Sequence, residues 1–238
     1  MVYIKPHYIG HDLRDDDMKR SNIELYNMDC MEAMKDMKDN QFDLSIVDPP
    51  YGIGMDNSNK RTKPSRPNSY TQYPDFRYHK TDWDNQRPSK EFWSELRRVS
   101  KNQIVWGANY FTEDLPSGYG WIFWNKLNGE NNCFSDGEFA FASKGIQSRY
   151  FECSAFDNLR GGKDRIHPTQ KPVKLYEWLL TNYAKEGDKI LDTHLGSGSI
   201  AIACHNLKFD LTGYELDSEY YEAAVKRLEQ HRKQLQLF

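Results

Sequence analysis

The sequence contains no Cys-x-x-Cys pair: Cys30, Cys133, Cys153 and Cys204 are scattered singly along the chain. That spacing disfavours a zinc site and a disulfide framework, so no metal ligand set is expected and the thiols read as reduced and structural. No stretch approaches the roughly 20 apolar residues of a membrane span. The polar N-terminal segment, with its Asp15-Asp16-Asp17 run, shows no apolar core of a secretion signal. A soluble, cytoplasmic protein that meets no membrane is therefore expected. Positive charge is not in excess either, since the formal net charge is −3. Any nucleic-acid contact must then come from a local basic patch and not from overall attraction. The hydrophobic fraction is low at 38% while aromatic residues reach 14%, which implies a core rich in rings and a large share of solvated or ligand-facing loop. The 238 residues suffice for one sizeable α/β domain, and the chain is read as a single domain over 1–238 with no internal repeat.

Strands and helices alternate in the pattern. Strands are expected at 23–26, 43–47, 103–106, 121–124, 138–142, 189–191 and 211–214, with 121–124 and 138–142 as antiparallel neighbours. Asp29, with Glu32 three residues on, resembles a capping box opening a short helix. Further helices are expected from about Ser89, through the first turn at Pro172, and at the C-terminal end with Tyr221, Val225 and Leu228 on one face. Two irregular stretches, 54–90 and 144–166, are longer than a compact domain needs for its connections. Alternation of this kind implies a mostly parallel sheet covered by helices on both faces, which binds ligands beyond the carboxyl ends of its strands. Asp29, Asp48, Asp192 and Glu215 each fall at or just after such an end, so four carboxylates are expected on one rim.

Asp48-Pro49-Pro50-Tyr51 directly follows the apolar run Leu44-Ser45-Ile46-Val47. Two prolines fix φ and supply no N–H, which leaves neighbouring carbonyls to accept hydrogen bonds, and a ring follows at once. Carboxylate, carbonyl and stacking ring together suit the exocyclic amino group of an extruded nucleobase; a rigid turn with a packed tyrosine is the plainer alternative. Gly196-Ser197-Gly198 stands between a strand and a helix, where a ligand approaches the backbone closely. The third glycine of the dinucleotide fingerprint is missing, which disfavours nicotinamide chemistry. Glu215, nineteen residues after Gly196, occupies the usual place of an acid that holds ribose hydroxyls. An acid-rich site of this kind suits a ligand with a ribose, an ammonium and a sulfonium better than a pyrophosphate.

Taken together, these motifs resemble the permuted (β) class of DNA adenine-N6 methyltransferases. Asp48-Pro49-Pro50-Tyr51 precedes the glycine loop, His167-Pro168-Thr169-Gln170-Lys171-Pro172 lies ahead of the loop's strand, Asp29-Cys30 opens the first helix, and Glu215-Leu216-Asp217 follows the last strand. The resemblance implies a Rossmann-like fold with a mostly parallel seven-stranded sheet and an antiparallel edge strand. It implies S-adenosylmethionine as cofactor, DNA as partner, base flipping, and a role in restriction–modification. It assigns Asp48, Pro49, Pro50 and Tyr51 to catalysis. The cofactor would be held by Asp29 with Cys30, by His167, Thr169 and Lys171, by Asp192, His194, Gly196, Ser197 and Gly198, and by Glu215 with Leu216. The loop departs from the class, whose Asp-Pro-Phe-x-Gly-Ser-Gly-Thr reads here as Asp192-Thr193-His194-Leu195-Gly196-Ser197-Gly198-Ser199, with His194 as the flat ring. Aspartate rather than serine at 48 tilts the target toward adenine; cytosine N4, RNA adenine and a catalytically silent binding subunit are the alternatives.

The 54–90 stretch mixes Lys60, Arg61, Lys63, Arg66, Arg77 and Lys80 with several rings, which suits phosphate contacts and base stacking. Residues 144–166, with Arg149, Arg160 and Lys163, hold the place of target recognition in the class. That segment is short, so discrimination is expected to be modest, or shared with the 54–90 loop or with a second copy of the chain in a homodimer.

Overall fold

The computed structural model describes residues 7–8, 21–54, 84–117, 119–128, 135–145, 147–155 and 165–235. Among the described residues nine strands form one sheet: β1 (His7–Tyr8), β2 (Ile23–Asn27), β3 (Leu44–Val47), β4 (Gln103–Trp106), β5 (Gly120–Asn125), β6 (Gly137–Ala142), β7 (Arg149–Glu152), β8 (Lys189–Asp192) and β9 (Asp210–Glu215). Their order across the sheet is β1-β2-β9-β8-β3-β4-β6-β5-β7. Only β1 and β6 run against the rest. The expected seven strands thus become nine; the antiparallel β1 stands at an edge, and the antiparallel β6 lies inside the sheet, between β4 and β5. The additional strands are short edge pieces. β7 belongs to the stretch read as irregular, because Arg149-Tyr150-Phe151-Glu152 is largely exposed and its residues show no buried alternation.

The central strands β3 and β4 are buried along their whole length, as a sheet covered on both faces requires. On one face Ile46, Ile104 and Ile190 pack with α3 (Val173–Tyr183), α4 (Ser199–Leu207) and α5 (Ser218–Leu235) through Leu175, Leu179, Ile200 and Leu228. On the other, Val47, Val105 and Leu191 meet α1 (Cys30–Lys35) and α2 (Lys90–Val99) through Met34, Phe92, Trp93 and Leu96. Each such fully buried side chain contributes on the order of 1.5–3 kcal/mol.

The helix starts show how locally the sequence acts. Ser89 caps α2 by accepting from the Phe92 N–H, and Asp29 caps α1 by accepting from Met31 at 2.8 Å. The capping box is only half formed, since Glu32 turns to Lys35 at 2.6 Å. Pro172 is the residue before α3 rather than its first turn. From β3 the chain crosses through α2 to β4 on one side, while from β8 it crosses through α4 to β9 on the other. The strand order therefore reverses between β3 and β8, which opens a crevice at their carboxyl ends. Asp43 fixes this pair at its base, its backbone and side chain both bonding Lys189 at 3.0 and 2.9 Å.

Candidate active site

The four acids expected on one rim are there, because β2, β9, β8 and β3 are parallel neighbours and Asp29, Glu215, Asp192 and Asp48 stand at their carboxyl ends. Asn27 ties two of these ends together by donating to the Glu215 and Leu216 carbonyls at 2.8 and 3.1 Å. Leu216 itself is exposed. Cys30, beside Asp29, is half-buried, and burial pushes its thiol up to about 12, with Asp29 and Asp192 adding to the rise.

Around Asp48 the geometry is dense. Tyr51 donates its hydroxyl hydrogen to Asp48 Oδ1 at 2.6 Å, and the Lys171 ammonium bonds Oδ2. Lys171 also lies 3.1 Å from Glu138, which pairs in turn with Lys126. Burial raises the Asp48 carboxyl above the usual range and Glu138 adds to this, while Lys171 opposes it. Burial and the nearby carboxylates push the Tyr51 phenol up, so it remains a donor. Pro49 is buried and Pro50 half-buried. The Tyr51 ring stacks on Tyr110 with centroids 5.0 Å apart and an 18° angle, and meets the edge of Phe111. Gly107, at φ +67°, makes room for it; a Cβ there would lie 2.2 Å from Tyr51 Cε1. Beyond the ring, buried Asp84 accepts from Gly52 N–H at 2.9 Å through its carboxylate and from Gly54 N–H at 3.1 Å through its carbonyl. Arg87 donates to the Tyr51 carbonyl at 3.3 Å.

The glycine loop faces the same crevice. Gly196 and Gly198 have φ of +51° and +68°, values that other residues adopt only at a cost. Gly196 N–H donates to Glu215 at 2.7 Å, and Asp192 accepts from His194 N–H at 2.9 Å. Burial lifts Asp192 to about 8, with Asp48 and Glu215 reinforcing the rise; burial also lifts Glu215. His194 packs edge-on against Phe92 at 5.4 Å. His167 is buried against Tyr220 at 4.4 Å and accepts at Nδ1 from Thr169 N–H at 3.3 Å; burial lowers it to about 3, so it stays neutral. Its ring lies 3.7 Å from where a Gly196 Cβ would stand.

Lys171 joins the two motifs. Its ammonium is on Asp48, and its backbone carbonyl accepts from Ser199 Oγ at 2.6 Å at the head of the glycine-loop helix. Buried Ser197 bonds Ser199 at 3.1 Å. Arg227 on α5 donates to the Ser197 carbonyl at 2.8 Å and to Ser199 Oγ at 2.9 Å. Arg149 is not brought to this rim: it opens β7 and acts on Tyr183 at the end of α3, toward the opposite end of the strands. Lys60, Arg61, Lys63, Arg66, Arg77, Lys80, Arg160 and Lys163 lie outside the described residues. The pattern missed Glu138, Lys126, Asp84, Gly107 and Arg227, whose roles depend on long-range neighbours. Gly107 alone carried a local signal, a glycine directly after a strand.

A profile for DNA methylases of the N6_N4_Mtase family matches residues 66–226. Among curated relatives, the type II methyltransferase M.HpaI of Haemophilus parainfluenzae is 27% identical over 84% of this chain and 72% of its own length. M2.MboI of Moraxella bovis is 26% identical over 94% and 91%. Among solved structures, the M1.HpyAVI–SAM complex superposes with a TM-score of 0.53 at 20% identity, over 87% of this chain and 98% of that one. The cytosine-N4-specific PvuII DNA methyltransferase gives 0.56 at 13% identity, over 90% and 92%. These likenesses carry the fold.

Proposed function

The chain belongs to the N6_N4_Mtase family of DNA methylases, and on that premise we propose that it moves a methyl group from S-adenosylmethionine to the N6 amino group of an adenine turned out of DNA. The observation that carries this is the placement of Asp48 and the Gly196–Gly198 loop in one crevice, bridged by Lys171. The donor set fits the cofactor. A buried carboxylate raised by its neighbours, as Asp192 is by Asp48 and Glu215, favours a ligand bearing positive charge, and the two glycines admit it to the backbone. Asp192 would take the ammonium, Glu215 the ribose hydroxyls and Asp29 the adenine amino group, with Cys30, His167, Thr169, His194, Ser197 and Leu216 around them. When bound, S-adenosylmethionine supplies a methyl group made electrophilic by its sulfonium.

The chain's own residues do the rest. A carboxylate has about four acceptor positions, so Asp48 accepts an amino N–H while keeping Tyr51 and Lys171, and the Pro49 carbonyl accepts the second. Both bonds localise the nitrogen lone pair toward the methyl donor, while Tyr51, backed by Tyr110, stacks on the base. Catalysis on this reading is alignment and electrostatics in a water-poor pocket. The aspartate at 48 favours adenine over cytosine N4.

Two measurements test this. Asp48→Ala should lose methylation while calorimetry shows S-adenosylmethionine still bound; turnover near wild type removes Asp48 from the chemistry. Expression in a methylation-free host, followed by base analysis of its genome, should reveal 6-methyladenine, and 4-methylcytosine in its place transfers the assignment to cytosine.

A further inference from the structure

Glu138 belongs to no motif, yet it stands where the charges of the rim meet. It is the second residue of β6, paired in register with Trp124 of β5, and the reversal of β6 brings its start to the carboxyl end of β3 and β4. One carboxylate oxygen pairs with Lys126 at 2.5 Å, and the other lies 3.1 Å from Lys171. Lys171 is buried, with its side chain 2% exposed and its ammonium 5.4 Å from the centre of the Trp106 ring. A buried ammonium requires a partner, and this one has two carboxylates sharing it. Two acids, Asp48 and Glu138, thus face two cations, Lys171 and Lys126.

With Asp48 as its sole partner, Lys171 would draw the whole of that carboxylate's charge to itself, and the acid would be a weak acceptor for an incoming amino group. We propose that Glu138 is a positioning residue that anchors Lys171 from a second side, so that Asp48 keeps its acceptor capacity toward the nitrogen to be methylated. The proposal rests on the reading of Asp48 given above. It extends that reading to a residue which touches neither base nor cofactor and acts through Lys171.

The electrostatics agree. Burial works to raise Glu138, but Lys171 and Lys126 outweigh it and hold the acid at about 2, so it stays charged at any working pH. Burial works to lower Lys171, and Asp48 and Glu138 reverse that. Asp48 is faced by Lys171, Glu138 and the Tyr51 phenol, with Tyr176 and Asp192 within range of its field. Within that group Glu138 is the acid that adds to the rise of Asp48. Its removal should therefore lower the Asp48 pKa.

The test compares Glu138→Gln with Glu138→Asp. The readout is single-turnover transfer of labelled methyl from S-adenosylmethionine to unmodified genomic DNA, across pH, with cofactor affinity measured by calorimetry. Glu138→Gln should keep cofactor affinity, lose roughly tenfold to a hundredfold in rate, the worth of a charged hydrogen bond, and move the acid limb of the profile to lower pH. Glu138→Asp keeps the charge, so its limb should stay where the wild type has it even if the plateau falls. A wild-type rate in Glu138→Gln overturns the proposal. So does a fall in rate with an unmoved limb, or a fall matched by lost cofactor binding, since either marks a purely structural residue. Asp48→Ala run alongside separates the two claims: an active Asp48→Ala sinks the reading of Asp48 as the acceptor, on which this proposal rests, whereas an inactive one beside an unaffected Glu138→Gln sinks only this one.

Discussion

Asp192 is the residue whose surroundings say most about the ligand proposed for this site. It is buried, it accepts from His194 N–H, and its carboxyl is lifted to about 8. An acid with a folded pKa above its unfolded one binds more protons when folded, so its contribution to stability is complete below the unfolded pKa and is lost as pH rises through the folded value. The buried histidines His167 and His194 act in the opposite sense, being held at about 3 and 4, but their effect ends once free histidine is neutral, near 6.5. Between about pH 7 and 8 the Asp192 effect therefore stands alone among these groups. The ligand-free protein should melt at falling temperature across that interval, and S-adenosylmethionine should raise the melting temperature more at the alkaline end. Asp192→Asn should weaken both trends. A flat melting profile in the wild type would contradict the buried acid. Other residues of the site carried no such local mark: Glu138 and Asp84 belong to no motif in the sequence, and only the pairing of β6 with β4, or the return of the chain at 84 to Gly52, gives them a role.

Between elements, the glycine loop is held from behind by α5. Arg227 donates to the Ser197 carbonyl and to Ser199 Oγ, and Ser199 donates to Lys171. The last helix, the loop and the His167–Lys171 segment form one hydrogen-bonded unit. Replacing Arg227 by Met keeps the apolar stem and removes those donors, leaving the Ser197 carbonyl unmet. Cofactor affinity should fall by about 1.5–3 kcal/mol, the worth of a charged hydrogen bond, with methyl transfer at saturating cofactor changed much less. Equal affinity in mutant and wild type, by calorimetry, would remove α5 from the site. Most elements were legible because their burial pattern is local: Leu44–Val47 and Gln103–Trp106 are mostly apolar runs buried along their whole length, and Ser89 announces α2. β7 was not, since an edge strand with a largely exposed face has no alternation to read. The order of strands was not legible either. That β8 lies beside β3, 146 residues from Asp43 to Lys189, follows from right-handed crossovers in opposite directions and from no local signal.

For the whole molecule, the question is how a chain of net charge −3 meets a polyanion. The answer proposed here is separation of charge. Residues 55–83 carry six cations, Lys60, Arg61, Lys63, Arg66, Arg77 and Lys80, against three acids, Asp56, Asp75 and Asp82. The segment leaves the described structure at Gly54 and returns at Asp84, and the bonds from Gly52 and Gly54 to Asp84 hold those two points together beside Tyr51. Whatever path lies between, the basic segment is tethered at both ends to the rim proposed to take the base. Each phosphate neutralised adds roughly −0.9 to the slope of log affinity against log salt. Reversing Arg61, Lys63 and Arg66 to glutamate should therefore weaken DNA binding and flatten that slope by about 2 to 3. Cofactor affinity should not change, because the acids proposed to hold the cofactor stand at the ends of β2, β8 and β9. Arg149→Glu, at the far end of the strands, serves as the control and should leave the slope alone. An unchanged slope in the triple variant takes the segment out of the DNA interface, and a slope altered only by Arg149→Glu moves that interface to the β7 edge.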